Sequence, residues 1–218
     1  MKTLAGMHTE VQGLHASAPA RLPVAPEFHA RSFLLRRVTG NLLVYSVTDL
    51  GADEAAIDEL GGISRQYLNH RHEAAFLSDA IRAPLFLHEN EYDAVDARTR
   101  APWTFSRGHV LDGDFQVIPA PGHTSGATAY LWDNGQHRFL FTGDTIHLDR
   151  DEWVAAVLES SDRAAYVETL EQIRELDFDV LVPWIATAGE PYHAVTSRAD
   201  TRRRVDAILE RVRSGESR

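Results

Sequence analysis

Short apolar runs separated by turn residues recur along the chain, and this pattern predicts a protein rich in short strands. Asp133-Asn134-Gly135 is the clearest turn signal, because Asn and Gly tolerate the left-handed backbone of a tight hairpin. A second short turn is predicted at Thr39-Gly40. In chain order, the runs that predict strands are Ser32–Val38, Asn41–Val47, Ser64–His70, Pro84–Glu89, Phe115–Ala120, Ala127–Asp133, Arg138–Asp144 and Asp179–Trp184.

Apolar residues at helical spacing predict helices between these strands. The longest covers Asp162–Leu176, and Ser197 is predicted to cap a closing helix. Shorter helices are predicted over Asp53–Leu60 and Ala74–Ile81. Two β-rich halves that each end in helix and strand predict an α/β sandwich with the helices outside two sheets. Residues 1–27 predict an irregular N-terminal arm ahead of a single domain over residues 28–214.

Composition narrows the class of protein. The chain has 218 residues, 44% of them hydrophobic and 25% charged, which is enough to bury a sizeable core. Its net charge of -10 disfavours a general nucleic-acid binder, because such a chain repels phosphate backbones. No run is long and apolar enough to span a bilayer, and the N-terminus lacks the apolar segment of a signal peptide. We therefore expect a cytoplasmic protein that acts on a small molecule, without nucleic-acid or membrane partners; a homo-oligomer is compatible with this sequence.

The content of reactive side chains limits the chemistry. The chain has no cysteine, which excludes disulfides, thiol nucleophiles and thiolate metal sites. Lys2 is its one lysine and lies near the terminus, so a buried Schiff-base lysine is not expected. Histidine occurs 11 times. Metal or acid–base chemistry would therefore depend on histidines and carboxylates.

Candidate chemistry is concentrated in three clusters, each placed where a predicted strand ends. The first contains His70 and His72, which reach one point only if the backbone is extended or turning. The second is Pro121-Gly122-His123-Thr124-Ser125-Gly126, a tight turn that projects His123 from a strand end. The third is Phe141-Thr142-Gly143-Asp144-Thr145, an apolar strand that ends in a carboxylate. Taken singly, the first is typical of a solvated loop and the third of an ordinary turn.

Taken together and in this order, H-x-H, P-G-H-T-x-G and G-D-T resemble the metallo-β-lactamase superfamily of metal-dependent hydrolases. The resemblance covers about residues 30–190. It implies a four-layer αββα sandwich of two mixed β-sheets flanked by helices. It also implies a metal site at one edge of the sheets, with His70, His72, His123 and Asp144 as ligands.

The chain departs from the two-metal members of that family on one side of the site only. Those members read H-x-H-x-D-H at the first cluster, where this chain has Ala74 and Ala75, and P-x-H after the last strand, where it has Ile185. The residues lost are those that bind only the second metal. The resemblance therefore implies one divalent metal, zinc in first place with iron as the alternative, unless His147 or His193 supplies a replacement ligand.

Three functions stay open at this stage. The first is hydrolysis of a small ester, thioester or lactone by a single metal-bound hydroxide, with Asp144 orienting the water in place of the lost aspartate. Glu73 is the other candidate base, although its side chain is expected to point elsewhere. The alternatives are a degenerate, non-catalytic or weakly active member that acts as a binding protein, and a mononuclear iron oxidoreductase. Trp184 is a candidate wall of the pocket.

Overall fold

The computed structural model describes residues 7–95 and 101–217, and they form three mixed sheets flanked by helices. The helices are α1 (Glu54–Glu59), α2 (Arg163–Glu175) and α3 (Arg198–Ser214), with 3-10 helices at Gly51–Asp53, Arg71–Phe76 and Glu89–Ala94. The strands are β1 (His8–Val11), β2 (Leu14–Ala16), β3 (Ala20–Leu22), β4 (Ala25–Ala30), β5 (Phe33–Leu35), β6 (Leu42–Val44), β7 (Arg65–Tyr67), β8 (Leu85–His88), β9 (Trp103–Phe105), β10 (His109–Leu111), β11 (Phe115–Pro119), β12 (Thr128–Asp133), β13 (Arg138–Gly143), β14 (His147–Asp149), β15 (Glu152–Val154), β16 (Val180–Pro183), β17 (Ile185–Thr187) and β18 (Ala194–Val195).

Two large sheets face each other across the core. One has seven strands in the order β1-β2-β5-β6-β7-β8-β9, and the other has six in the order β10-β11-β12-β13-β16-β18. Tyr67 of the first sheet packs on Phe115 and Tyr130 of the second, with ring centroids 5.1 and 5.5 Å apart. Phe33 and Phe141 make a similar contact at 6.1 Å. With the helices outside, this is the αββα sandwich that the resemblance implies.

The third sheet departs from the two-sheet expectation. Its five strands run in the order β15-β14-β17-β4-β3, and three of them continue strands of the large sheets after a bend. β13 leads into β14 through Gly143, whose φ of 57° is left-handed and ends the strand. β16 leads into β17 through Trp184, and β4 leads into β5 through residues 31–32. These bends create a third sheet. The pattern of apolar residues does not predict it, because the pattern shows where strands lie but not which sheet they join.

The described part of the N-terminal segment is not the irregular arm that its composition predicts. It contains β1, β2 and β3, and β4 starts at Ala25. β1 and β2 form a hairpin around Gly13, which has a φ of 85°. Leu14 and Ala16 are buried against the core. The prediction failed because strands of three or four residues are too short to show a period.

The predicted helix over Ala74–Ile81 is also wrong. A 3-10 helix over Arg71–Phe76 replaces it, and the backbone is extended at Leu77. Ser78 follows at once, and its hydroxyl accepts a hydrogen bond from the Ala80 N–H at 3.4 Å, which competes with helical pairing. The helices expected after Asp162 and Ser197 are confirmed, and both residues cap them through their side chains.

Candidate metal centre

The three sequence clusters meet at one end of the sandwich. His70 follows β7 and starts the 3-10 helix that carries His72. His123 lies in the loop between β11 and β12, and Asp144 follows β13 directly. One ligand atom from each of these four residues lies within 4.8 Å of the others.

Glycines allow the loops to approach this closely. Gly122, next to His123, has a φ of 141°, and a Cβ there would lie 2.5 Å from Tyr166 Cα. Gly143, next to Asp144, has a left-handed backbone, and a Cβ there would collide with the side-chain amide of Asn69. Neither position accepts a larger side chain. His123 is therefore held close to α2, and Asp144 is held close to Asn69, which follows β7.

The side-chain atoms converge at separations that suit one small cation. Asp144 Oδ2 lies 3.3 Å from His70 Nε2 and 3.7 Å from His123 Nε2. His123 Nε2 lies 3.1 Å from His72 Nδ1. For metal–ligand bonds of about 2.0–2.1 Å, the edge of a tetrahedron is about 3.3–3.4 Å. The three observed separations bracket that length.

Outer contacts fix the orientation of two rings. His70 Nδ1 donates to Glu73 Oε1 at 3.1 Å, and His123 Nδ1 donates to the Ala156 carbonyl at 2.6 Å. With these protons held outside, Nε2 of each ring is left to bind inward, which is the usual arrangement of metal-binding histidines. The carboxylate of Glu73 is buried and also accepts the Asn69 N–H at 2.8 Å.

Electrostatics of the cluster favour a bound cation. Burial opposes the protonation of His70, but the negative charges of Asp144 and Glu73, together with the hydrogen bond to Glu73, outweigh it and raise its pKa to about 10. Burial, together with the charge on His70, lowers the pKa of His123 to about 4. Burial would raise the pKa of Asp144, yet His70 holds it well below its ordinary value. Positive charge is thus stabilised at the position of His70, which lies between the carboxylates of Asp144 and Glu73.

The atoms that face this centre fit a metal. His70 Nε2 and Asp144 Oδ1 are buried and have no hydrogen-bond partner among residues 7–95 and 101–217. Buried polar atoms without partners are costly, and a coordinated ion satisfies such atoms. A set of three imidazoles and one carboxylate is suited to zinc or iron.

The side of the site that carries Ala74, Ala75 and Ile185 is lined mainly by apolar groups. Trp184 lies edge-on against the His70 ring at 5.5 Å, and Phe76 lies edge-on against Trp184 at 5.4 Å. Ala74 packs against a separate apolar cluster that includes Leu87. Ala75 is exposed, and Ile185 is buried in β17. Trp184 therefore does form a wall beside His70.

The suggested replacement ligands do not join the cluster. Neither His147 nor His193 belongs to the group of residues that could hold a metal in the described part of the chain. His147 lies in β14 with its ring edge-on to Phe28 at 5.3 Å. His193 Nδ1 faces Glu10 Oε2 at 3.7 Å. Glu73 lies behind His70, on the Nδ1 side of the ring, which does not suit a base acting at the centre.

Two buried tyrosines hold the loop of Asp144, and sequence reasoning missed both. The Tyr45 hydroxyl accepts the Gly143 N–H and donates to the Val182 carbonyl, each at 2.8 Å. The Tyr166 hydroxyl donates to the Thr145 carbonyl at 2.6 Å. Tyr45 has a φ of 70°, an unusual backbone for a bulky residue. The sequence does not predict the hydrogen bonds of the Tyr45 hydroxyl, because Tyr45 lies at the end of an apolar strand and is expected to be a core residue.

The family follows from comparison with known proteins. Residues 47–183 match the family model described as the metallo-beta-lactamase superfamily, and the chain belongs to that superfamily. No curated protein matches the chain significantly. The resemblance carried by the three clusters is thus confirmed.

Solved structures share the fold at low sequence identity. A metallo-beta-lactamase family protein from Thermus thermophilus is 18% identical, with a TM-score of 0.63 over 94% of this chain and 81% of that one. An archaeal superfamily protein from Sulfolobus tokodaii is 17% identical, with a TM-score of 0.64 over 92% and 87%. ETHE1 from Myxococcus xanthus is 16% identical, with a TM-score of 0.61 over 90% of each chain. Of the helices described here, none has the length and apolar character needed to cross a membrane.

Proposed function

We propose that the chain is a metal-dependent hydrolase with a single metal, which acts on a small ester, thioester or lactone. The convergence of His70, His72, His123 and Asp144, with buried atoms left unpaired, carries this proposal. The superfamily is one of metal-dependent hydrolases, and the four residues of the cluster could hold one ion.

The three histidines would hold the metal, with zinc preferred and iron as the alternative. When bound, such a metal polarises a carbonyl and lowers the pKa of a coordinated water to about 7. Glu73 and the Ala156 carbonyl keep the Nδ1 protons of His70 and His123 outside the centre. Asp144 approaches the histidines through Oδ2, while Oδ1 is free to accept a hydrogen bond from water and orient it.

The surroundings of the centre favour an uncharged substrate. Trp184 and Phe76 present aromatic surface next to His70. The nearby guanidinium of Arg71 is already paired with Glu91 at 2.6 Å. An ester, thioester or lactone needs no countercharge, and apolar walls exclude water from its reacting carbonyl.

The second candidate is a mononuclear iron oxidoreductase, favoured by the mixed histidine and carboxylate set. A carboxylate oxygen at 3.3 Å from His70 Nε2 is within the reach of a shared ion, and such mixed sets suit iron. If Asp144 closes the last position on zinc, the site is a closed one without turnover, which is the non-catalytic alternative.

Metal content by plasma mass spectrometry tests the proposal, on protein purified without an affinity tag. We expect about one equivalent of zinc per chain, and a loss of at least about tenfold in a His70→Ala/His123→Ala variant. A matched His109→Ala/His137→Ala variant changes two histidines outside the cluster and should keep its metal. Hydrolysis of a generic thioester or ester should disappear with a chelator and return on adding zinc.

Other outcomes discriminate among the candidates. Iron in protein prepared without air, with oxygen consumption in the presence of a persulfide, would replace the hydrolase by the oxidoreductase. Two equivalents would contradict the single-metal site. Stoichiometric zinc without turnover would favour the closed, non-catalytic site, and no metal after loading would end the hydrolase proposal.

A further inference from the structure

The loops that carry His70, His72 and His123 come from different sheets, so they must be held in a fixed relative position for the three histidines to converge. His70 and His72 follow β7 of the seven-stranded sheet, whereas His123 follows β11 of the six-stranded sheet. A shift of one loop relative to the other would separate His72 Nδ1 from His123 Nε2, which are 3.1 Å apart. The question is which group joins the two loops.

Glu91, in the 3-10 helix that follows β8, contacts both loops. Its Oε2 accepts the Arg71 backbone N–H at 3.0 Å and the Arg71 Nε–H at 2.6 Å. Its Oε1 accepts the Gly126 N–H at 2.5 Å. Arg71 lies between the two histidines of the first loop, and Gly126 lies three residues after His123. Each carboxylate oxygen thus serves one loop.

The surroundings of Glu91 leave little freedom in this link. Its side chain is fully buried, and a Cβ on Gly126 would lie 2.6 Å from Glu91 Cγ, so glycine allows the close approach. Arg71 supplies the countercharge that a buried carboxylate requires. The same guanidinium donates to the Asn90 carbonyl at 2.9 Å and to Ser125 Oγ at 3.3 Å, which adds two contacts between the segments.

We propose that Glu91 is a positioning residue of the metal centre, which sets metal affinity by locking the His70–His72 loop to the His123 loop. The inference rests on the proposed function, since it requires a metal. It adds that affinity depends on a carboxylate that touches none of the four ligands by hydrogen bond. Partners outside the ligand set typically change metal affinity by about 10–100-fold.

Glu91→Gln tests the link with almost no change of volume. The amide oxygen can accept from Arg71, but the amide NH2 then faces the Gly126 N–H, so a donor meets a donor. We expect cobalt to bind about tenfold or more weakly, and the visible spectrum of the bound cobalt to change because the histidines are displaced. Glu89→Gln, the same change at an exposed neighbour, is the matched control and should behave as wild type.

Gly126→Ala is a second variant that acts on the opposite partner. Its methyl group pushes the His123 loop away from Glu91 and should weaken cobalt binding in the same direction. The melting temperature of each metal-free variant is measured alongside, and binding is compared at a temperature where all of them are folded. A purely structural role would lower the melting temperature and leave the cobalt spectrum of the folded protein unchanged.

The outcomes separate this role from the proposed function. If the wild type binds cobalt and Glu91→Gln and Gly126→Ala bind it with the same Kd and spectrum, the role of Glu91 is wrong and the metal centre stands. If the wild type binds no cobalt, the metal centre is wrong and this role falls with it.

Discussion

The two sides of the site differ in what their side chains do. On one side, His70, His123 and Asp144 are buried and direct polar atoms at a common point. On the other, Ala74 packs into an apolar cluster and Trp184 covers the edge of His70. The second side is therefore mainly apolar packing, with Ala75 exposed at its surface. Because of this difference, we expect that metal-binding residues placed one by one on the apolar side will not create a second metal site.

The largest expected effect is that of Ala74→Asp, which places a carboxylate against the cluster of Leu68, Leu85, Leu87 and Val95. Burying it there should cost about 3 kcal/mol or more of the free energy of unfolding, without adding a second equivalent of metal. Ala75→Asp is the control, since Ala75 is exposed and the cost should stay within about 0.5 kcal/mol. Urea unfolding and metal content measure both. A second equivalent in stable Ala74→Asp protein would show that the comparison of the two sides is wrong.

On the polar side, Glu73→Gln should weaken metal binding by about tenfold. The amide oxygen can still accept from Asn69 N–H and His70 Nδ1–H, so the variant removes the charge behind His70 and keeps the shape. Competition with a chromogenic chelator gives the affinity. The exposed Glu54→Gln is the control. Unchanged affinity in Glu73→Gln would mean that hydrogen bonding alone, without the negative charge, orients His70.

The smallest effect is expected for Trp184→Phe. The Trp184 Nε1–H donates to the Ser46 carbonyl at 2.9 Å, and its loss leaves that buried carbonyl unpaired at a cost of about 1 kcal/mol. Metal content should stay at about one equivalent, because the phenyl ring still packs against the His70 ring. Trp103→Phe, at a residue 67% exposed, should change stability by less than about 0.5 kcal/mol. A gain of metal in Trp184→Phe would identify the indole as the group that excludes a second ion.

The sequence predicted the residues that meet at the site, but not the groups that hold them. Motif spacing brought out His70, His72, His123 and Asp144, since each follows a strand and carries a distinctive neighbour such as Gly122. The same reasoning identified the two long helices through their apolar period, and the closing helix also through its cap at Ser197. These features are local, and local features are visible in a single sequence.

What it could not predict depends on contacts between distant segments. Glu91 is one of many acidic residues, and only its burial between two loops distinguishes it. Tyr45 reads as an apolar strand residue, although its hydroxyl joins two strand ends. The helix predicted over Ala74–Ile81 is wrong partly for the same reason, because Ala74 packs against a cluster formed by other segments of the chain.

The burial of the ligands also has a kinetic consequence. His70, His123 and Asp144 are 0%, 2% and 8% exposed, whereas His72 is half-buried and lies at the surface end of the group. For the ion that we propose, the most exposed route in and out passes His72, since the other three residues are largely covered by protein. Exchange of that ion would then depend on opening of the segment around His72, and its rate would report how often that segment opens.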